Sequence, residues 1–183
     1  MSVPVASASE VIAHWHEFYL MAGTAAVTLV GLLFVALSIH LDTLLEDTRA
    51  HLVVHARQTL FSFTYVLFVS LLFLAPDNPV RVLGATLFVF SLVMAGITLR
   101  LSRGDFIRSG VRDLDAAYRR RTAVMLLGYA ICGGCGAWMA LQRNPYAAHF
   151  MIGGIFALLG NAAGASWDLL VQVGKLKRDA QRE

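Results

Sequence analysis

The sequence predicts an all-α, polytopic membrane protein with five transmembrane helices, and three observations predict it. Of 183 residues, 57% are hydrophobic and 15% charged, with a mean hydropathy of +0.64; a water-soluble domain carries about 25% charged residues. Five runs free of Asp, Glu, Lys and Arg occupy 18–41, 58–76, 82–99, 122–142 and 144–167, and together they hold 106 residues. A bilayer-spanning helix needs about 20 mainly apolar residues. Each run is therefore long enough, and the remainder is too short for a second domain, so 1–183 reads as a single transmembrane domain. The third observation is where the 15 Lys and Arg fall. With five spans, only Arg81 and Arg143 lie on the side of the N-terminus, and thirteen lie on the other. Lys and Arg in short loops stay cytoplasmic, which predicts the N-terminus outside and the C-terminus inside. Four or six spans would spoil this separation.

The first helix is expected over 17–41. No Lys or Arg occurs in the first fifteen residues, so the basic start of a cleavable signal is missing and the helix is expected to stay in the protein. His14, His16 and Glu17 stand beside Trp15 and Tyr19. That grouping reads as an interfacial belt, or as a pH-sensing pair of imidazoles. Thr24, Thr28, Gly31, Val35 and Ser38 recur every three or four residues and form one weakly polar stripe. His40 closes this helix at the inner boundary.

The second helix is expected over 57–76, with a matching stripe of His55, Gln58, Ser62 and Tyr65. The connection 42–57 keeps a helical rhythm through Leu44, Leu45, Leu52 and Val53, so helices 1 and 2 are expected to extend into the cytoplasm. On that stretch Asp47, His51 and His55 recur every four residues, three metal-ligand types on one side of a helix. The His-Glu-x-x-His metalloprotease motif is absent, and a solvated polar face is the plainer reading. No metal or cofactor is therefore assigned.

Asn78-Pro79 and Asn144-Pro145 each place a capping side chain before a proline, which predicts tight hairpins between helices 2 and 3 and between helices 4 and 5. Helix 3 is expected over 80–101, helix 4 over 121–142 and helix 5 over 145–172. Between helices 3 and 4, Ile107, Val111, Leu114 and Tyr118 alternate with arginines at helical spacing. The segment 103–119 is read as an amphipathic helix lying in the plane of the inner leaflet.

Lipid is as apolar as Leu, so membrane helices associate through small residues. Gly153, Ala157, Gly160 and Gly164 on helix 5, with Cys132 and Cys135 on helix 4, are the expected packing residues. Cys132 and Cys135 have redox spacing but fall mid-helix, away from aqueous thiols. Asn161 and Asp168 share a face of helix 5, and Asp168 reaches the inner boundary with His40 and His55; an ionisable group there is a functional candidate by default. The spans carry no Asp, Glu, Lys, Arg or His at their midplane, which argues against an ion-coupled pump.

Trp15-His16-Glu17-Phe18-Tyr19, followed by Gly31-Leu32-Leu33-Phe34-Val35-Ala36-Leu37-Ser38-Ile39, resembles the first helix of a family of small multi-pass bacterial membrane proteins without an assigned function. Gly160-Asn161-Ala162-Ala163-Gly164 with Trp167 is similar to its last helix. The resemblance covers about a quarter of the chain. It implies a bacterial inner (cytoplasmic) membrane protein and brings no catalytic residues.

These readings converge on a homo-oligomer forming a passive channel for an ion or small polar solute. Thr24, Thr28, Gly31 and Ser38 on helix 1, or His55, Gln58 and Ser62 on helix 2, are expected to line it, with Asn161 on the polar pathway and His40, His55 and Asp168 near its inner mouth. One alternative is an accessory protein that binds a larger membrane protease or transporter; a third reading is a metal-dependent or redox membrane enzyme, for which no motif is present. The expected partners are the bilayer, with its anionic inner leaflet, and further copies of the chain; no nucleic acid is expected, and no protein partner is identified.

Overall fold

The computed structural model describes residues 15–39, 50–76, 78–109, 116–142 and 145–180. Their regular structure is entirely helical: α1 (His16–Ile39), α2 (Ala50–Leu74), α3 (Val80–Ser109), α4 (Ala116–Gln142) and α5 (Ala148–Ala180), with a short 3-10 turn at Pro145–Ala147 leading into α5. Five stretches are long and apolar enough to span a membrane: His16–Ile39, Ala56–Leu74, Val80–Arg103, Tyr118–Gln142 and His149–Asp168. Their lengths of 19 to 25 residues correspond to roughly 28–37 Å at 1.5 Å per residue, against a hydrocarbon core of about 30 Å. The chain is an integral, multi-pass α-helical membrane protein.

The burial pattern matches a lipid solvent. Leu20, Met21, Leu32, Phe34, Leu92, Leu127, Phe150 and Phe156 point outward, while Gln58, Thr59, Ser62, Ser91 and Thr98 are buried. In water an exposed apolar surface of this kind would promote association; in lipid it is the solvated surface.

The bundle is two helix pairs joined by a fifth helix. α1 packs along α2, α3 along α4, and α5 touches both α2 and α4. The most intimate pair is α3 and α4. A Cβ on Gly84 would lie 2.6 Å from the Gly136 carbonyl oxygen, and a Cβ on Gly136 would lie 2.8 Å from that of Gly84. Without side chains the two backbones meet directly, the device by which membrane helices gain dispersion contact. Gly128 receives the side chain of Leu158 and Gly154 that of Cys132, joining α4 to α5, and Gly23 receives the side chain of Ser70, joining α1 to α2.

Several details depart from expectation. The α4–α5 hairpin packs tightly, but α3 leans chiefly on α4 and only lightly on α2, because the facing glycines lie on α3 and α4. Asn78 is not the cap of α3: its Nδ2 donates to the Leu72 carbonyl at the end of α2 (3.5 Å). The Pro79 carbonyl instead accepts the first bond of α3, from Leu83 N (3.0 Å). Asn144 lies outside the described residues. Of the segment 103–119 expected to lie in the plane of the inner leaflet, residues 103–109 belong to α3 and 116–119 to α4, and 110–115 are outside the described residues. The α1–α2 connection is helical from Ala50 onward, and 40–49 are outside the described residues.

Gly136→Leu is expected to lower stability by at least about 2 kcal/mol through overpacking against backbone. Gly134→Ala, at a position with nothing within 4 Å, is expected to be neutral or slightly stabilising. Thermal unfolding in detergent, followed by helical circular dichroism, checks both.

Candidate functional site

The α2 stripe lies inside the bundle. Gln58, Ser62 and Tyr65 are buried, with Ser62 and Tyr65 fully so, and they face hydroxyls from α3 and α4. Tyr65 Oη and Ser91 Oγ are 2.6 Å apart, and Ser91 also donates to the Leu87 carbonyl (2.7 Å). A hydroxyl has one proton, so Tyr65 is the donor to Ser91. Gln58 Nε2 donates to Ser102 Oγ (3.3 Å) and to Tyr118 Oη (3.2 Å), using both of its amide hydrogens. Ser102 in turn donates to the Thr98 carbonyl (2.9 Å). Ser62 Oγ lies 3.5 Å from Tyr129 Oη. The Tyr65 ring meets the edge of Tyr129 at 4.8 Å and stacks on Phe90 at 5.4 Å. The result is a buried polar seam where α2, α3 and α4 converge, running from the middle of the bundle toward its arginine-rich end. Buried polar groups are tolerated when fully paired, and this pairing fixes the rotational setting of three helices.

At the arginine-rich end the seam meets a small cleft lined by Gln58, Thr59, Tyr118, Arg121, Asn161 and Ala165. The space admits about one water molecule. The half-buried Arg121 on α4 forms an ion pair with the part-exposed Asp168 on α5. Asn161 Nδ2 donates to the Arg121 carbonyl (3.3 Å). Asn161 and Asp168 thus share one neighbour, and together they clamp the start of α4 to α5. His40 lies outside the described residues, as does the side chain of His55, so their expected grouping with Asp168 falls there too. Arg121 had counted only toward the basic total. The signal for its role was its place on the inward stripe Arg121, Met125, Gly128 and Cys132, at helical spacing.

The α1 stripe takes the opposite setting. Thr24, Thr28, Gly31 and Ser38 are exposed on the outer surface of the protomer. Each hydroxyl is satisfied by its own helix: Thr24 donates to the Leu20 carbonyl, Thr28 to that of Thr24 and Ser38 to that of Phe34, all at 2.8 Å. Gly153, Gly160 and Gly164 also face outward with nothing within 4 Å, and Ala157 is half-buried beside them. Among the described residues, the α5 glycine that makes a close contact inside the protomer is Gly154, one residue from the expected stripe.

Cys132 and Cys135 are buried free thiols, Cys132 filling the space over Gly154, a packing role. Among the described residues no three His, Cys, Asp or Glu side chains gather as a metal site. Asp47 and the side chains of His51 and His55 lie outside them. His16 and Glu17 are exposed at the opposite end, and His14 lies outside the described residues. There Trp15 meets His149 edge-on at 4.8 Å, and Tyr19 stacks on Phe73 at 4.3 Å. These aromatic contacts tie α1 to α2 and α5. No family model, curated protein or solved structure matches the chain.

A double-mutant cycle on Tyr65→Phe and Ser91→Ala tests the seam. The expected coupling is about 0.6 kcal/mol and no more than about 1.7, the range of hydrogen bonds between membrane helices, read from unfolding midpoints in detergent. Additive effects would remove the Tyr65–Ser91 bond from the account.

Proposed function

We propose that the protein is a homo-oligomer of a bacterial inner membrane, N-terminus outside, that provides a passive path for an ion or small polar solute between its copies, along α1. The observation that carries this reading is the outward stripe of Thr24, Thr28, Gly31 and Ser38, set against a protomer interior whose cleft admits about one water. Among the described residues, that cleft is too small to serve as a permeation path inside one protomer. Back-bonded hydroxyls keep a lone pair for a passing solute while their protons are satisfied, and the stripe holds no charge that would trap an ion; conduction requires binding that is favourable but weak. Small subunits enclose a central path by cyclic symmetry, and the unfilled faces of Gly153, Gly160 and Gly164 suit close helix contact between neighbours. His40, His55 and Asp168 belong to the inner mouth in this reading.

The test is ion flux across liposomes containing the purified full-length protein. Flux is expected, and Thr28→Cys or Ser38→Cys should make it sensitive to a water-soluble thiol reagent, while the wild type, with both native thiols buried, stays insensitive. A stable detergent monomer with no flux for several ions sinks the reading, and a stoichiometric foreign protein from native membranes would establish the accessory role in its place.

A further inference from the structure

Arg100 and Arg103 at the end of α3, and Arg119 and Arg120 at the start of α4, are all exposed. The apolar stretch of α3 that is long enough to span ends at Arg103 and that of α4 begins at Tyr118, so the four arginines stand at one end of these two stretches. The two helices are antiparallel, with Gly84 against Gly136 and Ser91 against Gly133. Following that register along both helices brings Arg100 and Arg103 level with Arg119 and Arg120. Among the described residues no carboxylate pairs with any of the four, and Asp168, at the same end, is engaged by Arg121. At the opposite end the described residues include one exposed arginine, Arg81.

Below Arg119 and Arg120, the exposed stripe of α4 continues as Ala123, Leu127, Ala130, Gly134 and Trp138. A Cβ on Gly134 would meet nothing within 4 Å. The stripe is a shallow apolar track, narrow at Ala130 and Gly134, leading from the exposed arginines along α4.

We propose that this end of the α3–α4 pair binds the phosphate headgroup of an anionic membrane phospholipid through Arg100, Arg103, Arg119 and Arg120, with an acyl chain lying along the α4 stripe. Guanidinium groups match phosphate oxygens in fork geometry. The long side chains reach the interface while their stems stay on apolar surface. A basic cluster at a helix end attracts anionic lipid by charge, and the track supplies the hydrophobic half that a free anion cannot use. The proposal does not depend on the oligomeric path of the preceding section.

The full-length protein in phosphatidylcholine nanodiscs doped with phosphatidylglycerol provides the test, with lipids retained after extraction counted by native mass spectrometry. Phosphatidylglycerol is expected to be retained in preference to phosphatidylcholine. Each Arg→Gln change at the four positions should lower that preference roughly fivefold, as expected for about 1 kcal/mol per basic residue near the surface. Arg119→Lys with Arg120→Lys should keep most of it, and Arg81→Gln should keep all of it. Ala130→Phe, which leaves the charges in place, should shorten retention. Undiminished phosphatidylglycerol in the quadruple Gln variant, or an equal loss in Arg81→Gln, overturns the proposal. So does displacement by inorganic phosphate alone, which would mark a free-anion site, or a co-purifying acidic protein released by the substitutions while lipid retention stays unchanged.

Discussion

In the hydrocarbon core no water is present to hydrogen-bond a stray hydroxyl or peptide group, so the polar atoms of the five spans depend on the protein for partners. The backbone meets this demand by being helical throughout the spans. Side chains meet it in two ways. On the outer surface Thr24, Thr28 and Ser38 turn their hydroxyls onto their own helix; inside, Gln58, Tyr65, Ser91 and Ser102 pair across helices. The first solution places no demand on a neighbouring helix, and the second locks α2, α3 and α4 into a single setting. Among the described residues, the buried hydroxyls of Ser70 and Thr122 lack a partner.

Packing follows from the same solvent. Lipid gives helices little hydrophobic reason to associate, so close dispersion contact has to hold them. Gly84 and Gly136 bring α3 and α4 to backbone contact, and Gly128 and Gly154 receive the side chains of Leu158 and Cys132 between α4 and α5. Between α2 and α4, where backbones approach little, the rings of Tyr65 and Tyr129 fill the gap. Glycine therefore closes one side of the seam and tyrosine the other. The ion pair of Arg121 with Asp168 sits where this packing ends and water or headgroups begin, which is where a charged pair is least expensive to hold.

The spans were legible in the residues because burial in lipid demands long uncharged runs, and 18–41 and 122–142 coincide closely with α1 and α4. The direction in which each stripe faces was not legible. Thr24, Thr28 and Ser38 have the same helical spacing as Gln58, Ser62 and Tyr65, yet one set faces out and the other in, because spacing defines a face without naming its neighbour. The glycines of helix 5 show the same limit. Gly153 and Gly154 are adjacent and chemically identical, but only Gly154 points at Cys132. Arg121 was hidden among Arg119, Arg120 and the other basic residues because a charge count carries no direction.

By itself, then, the sequence determined the solvent, the number of spans and the concentration of arginine at one end, since these depend on composition and on run length against bilayer thickness. The tertiary structure decided which polar residues became a buried seam, which faced outward from the protomer, and that Asp168 answers to Arg121. Those outcomes depend on the rotation of each helix about its axis, which is set by the fit of particular glycines, tyrosines and hydrogen bonds between elements far apart in the chain.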